Sequence, residues 1–192
     1  RSRRPRIPVT GIKFRGHPAA RAILGTVLAA AARAPLGLRP PVLWSGLRVG
    51  GAAAAMVATG VAAATAVPRV RSAMVERDLP DRPARWLALE IPAGTVWAEE
   101  AVFRGAVQAV AARAVGRSGG RLLQAAVFGL WHIPDARNEG ESIIGTVVVT
   151  ALAGWAFGWL AERSGSLLAP VLAHLAINEA GAVAALAVQR RI

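Results

Sequence analysis

The chain has 192 residues, with 23 Lys+Arg against 11 Asp+Glu, a formal net charge of +12, 54% apolar residues and only 18% charged ones. That apolar fraction excludes a disordered chain, and the lack of Cys excludes a disulfide scaffold, a Cys-based metal site and a thiol nucleophile. The Arg residues fall between long uncharged runs, which is the pattern of an integral membrane protein rather than of a soluble basic one.

In chain order, residues 1–18 form a basic tail (Arg1, Arg3, Arg4, Arg6, Lys13, Arg15) interrupted by Pro5, Pro8 and Pro18. Anionic headgroups attract juxtamembrane basic clusters, so the tail is expected to face lipid on the cytoplasmic side. No folded reading head follows it, and no nucleic-acid partner is expected. Residues 19–192 are expected to be one membrane-embedded helical domain. Its first span, Ala19–Ala34, is short, because only 11 uncharged residues separate Arg21 from Arg33; both Arg would snorkel towards headgroups. Pro35, Pro40 and Pro41 break the chain, and a second helix runs from about Leu43 to Val67, where Pro68 ends it.

Pro68–Arg85 is the longest polar stretch. A third helix is expected from about Trp86 to Val115, interrupted or restarted near Pro92, with a turn at Gly116–Gly120. The fourth segment, Arg121–Ile133, is only about 20 Å long at 1.5 Å per residue and does not cross by itself. A loop over Pro134–Glu141 leads to the fifth helix, Ile143–Ala161, which has 19 uncharged residues. The sixth lies in Ser166–Val188, broken only by His174, Asn178 and Glu179. A crossing needs about 20 mostly apolar residues. The fold class expected is therefore all-α: a polytopic transmembrane bundle of about six helices, with broken or kinked segments around a polar cavity. With the N-terminus inside, 15 Lys/Arg fall on inside segments and 7 on outside ones, so both termini are expected in the cytoplasm. The Arg- and Ala-rich, Lys-poor composition points to a bacterial plasma membrane.

Ionisable residues at membrane depth are costly and mark function by default. Here they are Glu99, Glu100 and Arg104 in the third helix, His132 at the end of the fourth, and His174, Asn178 and Glu179 in the sixth. Glu100 and Arg104 are four apart, so they share a helix face and can pair. Glu99 points about 100° away, without that partner, as a general base would. His174 and Asn178 are also four apart and aim at one locus, and Phe128 is spaced to brace His132. Taken one at a time, each His is as readily a satisfied buried imidazole. The Gly154…Gly158 pair reads as close helix packing. Simple span bookkeeping puts His132 near the cytoplasmic end, Glu99 deeper and His174 towards the far side, so a single site requires broken or tilted helices around water.

Glu99-Glu100-x-x-x-Arg104, Phe128-x-x-x-His132 and His174-x-x-x-Asn178 together resemble, in order and spacing, the three motifs of the CPBP family, which holds type II CAAX prenyl endopeptidases and bacterial abortive-infection or bacteriocin-processing relatives. The resemblance covers about residues 86–188. It implies an intramembrane endopeptidase in which Glu99 and His132 activate a water, His174 and Asn178 donate to the developing oxyanion, and Glu100 with Arg104 forms a positioning pair. It implies no cofactor; the alternative is Zn²⁺ held by Glu99, His132 and His174. The partners implied are a hydrophobic or lipidated peptide or protein substrate and membrane lipids. Two other readings compete: a non-enzymatic immunity or scaffold protein that binds a peptide in the same cavity, and a proton-coupled transporter, for which internal inverted repeats would speak.

Overall fold

The computed structural model describes residues 17–191, and the expected basic tail lies, but for its last two residues, outside them. Among the described residues every regular element is a helix. α1 (Pro18–Ala31) starts on a proline, whose missing N–H costs nothing in a first turn, and the His17 ring nitrogen Nδ1 accepts from the Ala19 amide at 3.3 Å. α2 (Val42–Thr65) runs up to the expected stop, and α3 (Pro68–Glu76) is a short helix inside the polar stretch.

From Pro83 the chain is helical without a gap as far as Ala114. α4 (Pro83–Arg85) leads into a π-helical stretch (Trp86–Trp97), then α5 (Ala98–Glu100), a second π-helical stretch (Ala101–Val107) and α6 (Gln108–Trp131). Pro92 sits inside the first π stretch rather than ending a helix. The wider i→i+5 turn accommodates a residue that has no N–H to give.

α6 is two arms. Val115 (φ −127°, ψ 16°) and Gly116 (φ 77°, ψ 167°) leave helical geometry, and the second arm folds back on the first. The return is tight: a Cβ on Gly120 would lie 2.5 Å from the Ala112 amide nitrogen. The arms stay together, with the Phe103 and Phe128 rings 5.0 Å apart edge to face. Glu99 lies one helical turn before Phe103 and His132 one turn after Phe128, so the hairpin brings both to one level. Span counting assigned them different depths because it took each segment by itself, whereas the fold-back sets the second arm of α6 beside the first.

α7 (Ile133–Glu139) replaces the expected loop. Pro134 and Asp135 suit its first turn, and Gly140, at φ 71°, ends it. α8 (Ile143–Ser164) is capped by Ser142 Oγ, which accepts from the Gly145 amide at 3.2 Å, and stops at Gly165 (φ 72°). α9 (Leu168–Gln189) returns along α2 and α8.

α2, α8 and α9 are each long and apolar enough to cross a membrane. With α1, the rod 83–114 and the second arm of α6 they form a helical membrane bundle. Its outer face is apolar: Ile144, Val149 and Leu152 of α8 are 78%, 66% and 64% exposed, an arrangement that suits lipid and not water. Its interior is built from small residues, such as Ala29, Ala101, Ala169 and Ala185, all without exposed surface, which lets backbones approach where lipid removes the usual hydrophobic drive.

Candidate active site

A cavity of about 250 Å³ opens between the rod, α7, α8 and α9. Glu99, His132, His174 and Asn178 all line it. Two of the expected site residues, Glu100 and Arg104, lie behind its wall, fully and almost fully buried.

Glu99 and Glu100 project from α5, the one α-helical turn between the two π stretches. Glu100 Oε1 accepts from Arg104 Nη1 at 3.0 Å, the pair expected from the spacing. The same oxygen also meets His174 Nδ1 at 2.7 Å, a contact that sequence spacing did not suggest. An ionised carboxylate only accepts, so Nδ1 carries the proton and Nε2 is left facing Glu99, 4.0 Å from its Oε2. Glu99 Oε2 is buried without a hydrogen-bond partner among the described residues.

His132 is held differently. Its Nδ1 lies 2.8 Å from the Phe128 carbonyl, which can only accept, so in the neutral ring Nε2 carries a lone pair. Asn178 Nδ2 donates to the His174 carbonyl at 3.2 Å, one turn back on its own helix.

Aromatic rings fix these groups. Phe128 lies edge-on to His132 (4.7 Å between centroids) and to His174 (6.1 Å), and the Arg104 guanidinium sits 4.1 Å over its face. Phe157 stacks on His174 at 5.0 Å. Phe157 lay in an uncharged window with no spacing signal to mark it. α8 reaches Phe128 because residue 154 is glycine: a Cβ there would meet Phe128 Cδ1 at 3.0 Å.

Among the described residues, no three His, Asp or Glu side chains come together as a metal-holding set. The three residues of the alternative Zn²⁺ site, Glu99, His132 and His174, line the same cavity, with His174 Nε2 4.0 Å from Glu99 Oε2.

Two features were missed by sequence reasoning. The cavity mouth carries Asp135, Glu139 and Glu141. Nearer the other end of α8, Gln108 Nε2 donates to Glu162 Oε1 (2.9 Å), Arg121 Nη1 to Glu162 Oε2 (2.7 Å) and Gln124 Nε2 to the Gly154 carbonyl (2.8 Å). Gln108 and Glu162 line a second cavity of about 430 Å³, whose wall Arg104 also shares. Polar residues inside apolar helices were the available signal for the two Gln. Glu179 lies on α9 away from both cavities, and nothing in the structure explains it.

The sequence model of one family, described as type II CAAX prenyl endopeptidase Rce1-like, matches residues 82–180. The chain belongs to this family. The match spans just over half the chain and contains all six expected site residues. No curated protein and no solved structure matches the chain. As an Rce1-like protein built from apolar helices, it is an integral membrane hydrolase, an intramembrane protease of the CAAX type.

Proposed function

We infer that this Rce1-like protease hydrolyses a peptide bond held in the 250 Å³ cavity, with Glu99 as the general base and no metal. The observation that carries this is the shared lining of that cavity: one carboxylate without a hydrogen-bond partner, two imidazoles and one carboxamide at the same opening.

The chemistry runs as follows. A water sits between Glu99 and His132. His132 Nε2, a lone pair because Nδ1 is tied to the Phe128 carbonyl, accepts one of its hydrogens and orients it. Glu99 takes the other proton as the water oxygen adds to the scissile carbonyl. The oxyanion that forms is met by the Asn178 amide and by the Nε2–H of His174, which takes its second proton from solvent before the attack and keeps it through the step. Glu100, bonded to His174 Nδ1, compensates the charge of that imidazolium, and Arg104 holds Glu100 in place. Collapse breaks the C–N bond, and Glu99 returns its proton to the leaving amine.

The substrate class is a hydrophobic or lipidated peptide that reaches the cavity from the membrane. The termini face the cytoplasm, on the charge bias of the segments.

The test is cleavage of a panel of hydrophobic and lipidated peptides by the purified full chain in nanodiscs. Glu99→Gln and His132→Ala are each expected to retain the wild-type unfolding profile and to lose at least about a hundredfold in kcat, the usual worth of an acid–base group. A chelator is expected to leave the rate unchanged. Turnover by Glu99→Gln at the wild-type rate removes the role given to Glu99; loss of activity to chelator, restored by Zn²⁺, makes the enzyme metal-dependent.

A further inference from the structure

The charge at the cavity runs against that of the chain. Lys+Arg outnumber Asp+Glu 23 to 11 over the whole sequence, yet the cavity lining holds Glu99, Asp135, Glu139 and Glu141 and not one Lys or Arg. Four of the 11 acidic residues therefore surround one opening. Asp135 and Glu139 come from α7 and Glu141 from the link to α8; all three are exposed, and no ion pair or hydrogen bond engages their side chains among the described residues. The nearest cation on α7, Arg137, does not line the cavity.

The opening is a ligand site on separate grounds. His174, its side chain only 8% exposed, lines it with Nε2 free of any hydrogen bond among the described residues, and Glu99 Oε2 is buried 4.0 Å from it without a hydrogen-bond partner among them. The three rim carboxylates are not gathered as a metal-holding group. A cleft lined by one sign of charge between low-dielectric walls focuses its field on whatever enters, and this one faces an otherwise basic protein.

We propose that the acidic rim selects substrates carrying Lys or Arg beside the scissile bond, on the side that lies at the cavity mouth. This rests on the cavity being where the peptide is held, as argued above. The hydrophobic part of the substrate reaches the cavity from the bilayer, and its basic part stays at the mouth, against Asp135, Glu139 and Glu141. Elsewhere the chain's own Arg residues repel the same segment, so attraction at the rim also orients it.

The experiment reads binding separately from cleavage. Fluorescent peptides with one hydrophobic or lipidated core, flanked on either side by two Arg or by two Gln, are titrated by anisotropy onto the full chain. The chain is held in nanodiscs of neutral phosphatidylcholine, with empty discs subtracted, and the His132→Ala background keeps the peptide intact without changing the cavity's charge. The Arg peptide is expected to bind about tenfold more tightly than its Gln twin, from two exposed Arg–carboxylate pairs of modest individual worth. That preference should shrink in 0.5 M NaCl and vanish in Asp135→Asn/Glu139→Gln/Glu141→Gln, while Arg137→Gln keeps it. Equal binding of the two peptides, or a preference that survives the triple variant, overturns the proposal. A preference abolished by chelator also overturns it, since the rim would then hold a cation. Glu99→Gln that cleaves normally defeats the catalytic reading and leaves the binding difference standing, so the two failures are distinguishable.

Discussion

Glu100 Oε1 and His174 Nδ1 lie 2.7 Å apart across 74 residues of sequence, and the same oxygen takes the Arg104 guanidinium at 3.0 Å. One buried carboxylate oxygen thus ties α5 to α9 and fixes which His174 nitrogen meets the cavity. In the proposed mechanism Glu100 acts through His174, as a positioning residue.

Removing one member of a buried ion pair leaves the other charge uncompensated, at about 3–5 kcal/mol. Arg104→Met is expected to destabilise the protein by that amount, measured by reversible unfolding in detergent. Glu100→Gln/Arg104→Met is expected to recover most of the stability, because no lone charge remains, but not the kcat, because His174 has lost its carboxylate. A double variant whose stability loss equals the sum of the single losses shows the two residues to be independent.

Phe128 is 2% exposed and touches His132, His174 and Arg104 with one ring. Phe128→Ala is expected to cost about 3–5 kcal/mol in stability. It should also lower kcat beyond what the unfolded fraction explains, since both imidazoles lose their brace. Activity per folded molecule, from turnover and unfolding on the same preparation, checks this.

Much of the bundle was legible because hydropathy is a one-dimensional property. The helix expected from about Leu43 to Val67 and the uncharged Ile143–Ala161 lie within α2 and α8 but for a residue or two, and Ser166–Val188 lies almost wholly within α9. The stop at Pro68 and the break at Gly116 follow from proline and glycine chemistry, although the turn expected over Gly116–Gly120 is confined to Val115 and Gly116 and the second arm is helical from Arg117. Local pairs were legible too: Glu100 with Arg104 is an i,i+4 contact that the helix itself dictates. What spacing does not carry is contact between helices. Glu100 with His174, Phe157 stacked on His174, and Glu99 level with His132 all depend on how α6 folds back and where α9 crosses it. α7 escaped because Pro134 reads as a breaker from outside and as a first-turn residue from within.

Gly116 has φ 77° and ψ 167°, a combination open to glycine and closed to L residues, and a Cβ there would meet nothing within 4 Å. Gly116→Ala therefore isolates backbone strain, and is expected to cost about 1–3 kcal/mol. Gly51, in the middle of α2, is its contrast: a Cβ there also meets nothing, but the backbone is helical. Gly51→Ala is expected to stabilise by about 0.5–1 kcal/mol. Opposite signs in one denaturation series check both, and equal signs refute the backbone argument.

Gly154 couples packing to the site. A Cβ there would stand 3.0 Å from Phe128 Cδ1 and 3.3 Å from Ala125 Cα, so α8 must back away or the Phe128 ring must turn. The ring is the softer of the two, and it lies edge-on to His132. Overpacking of this kind costs about 1–3 kcal/mol. Gly154→Ala is thus expected to lower kcat by about tenfold with little change in KM, because the imidazole moves while the rim of the cavity does not. Phe128→Leu in the same chain frees space at that point, so the double variant Gly154→Ala/Phe128→Leu should fall short of the product of the two single kcat losses. Such non-additivity is what direct contact predicts for neighbours. A multiplicative pair of losses would instead mean that Gly154 acts on activity through the general packing of α8, and that the ring beside His132 is not the route.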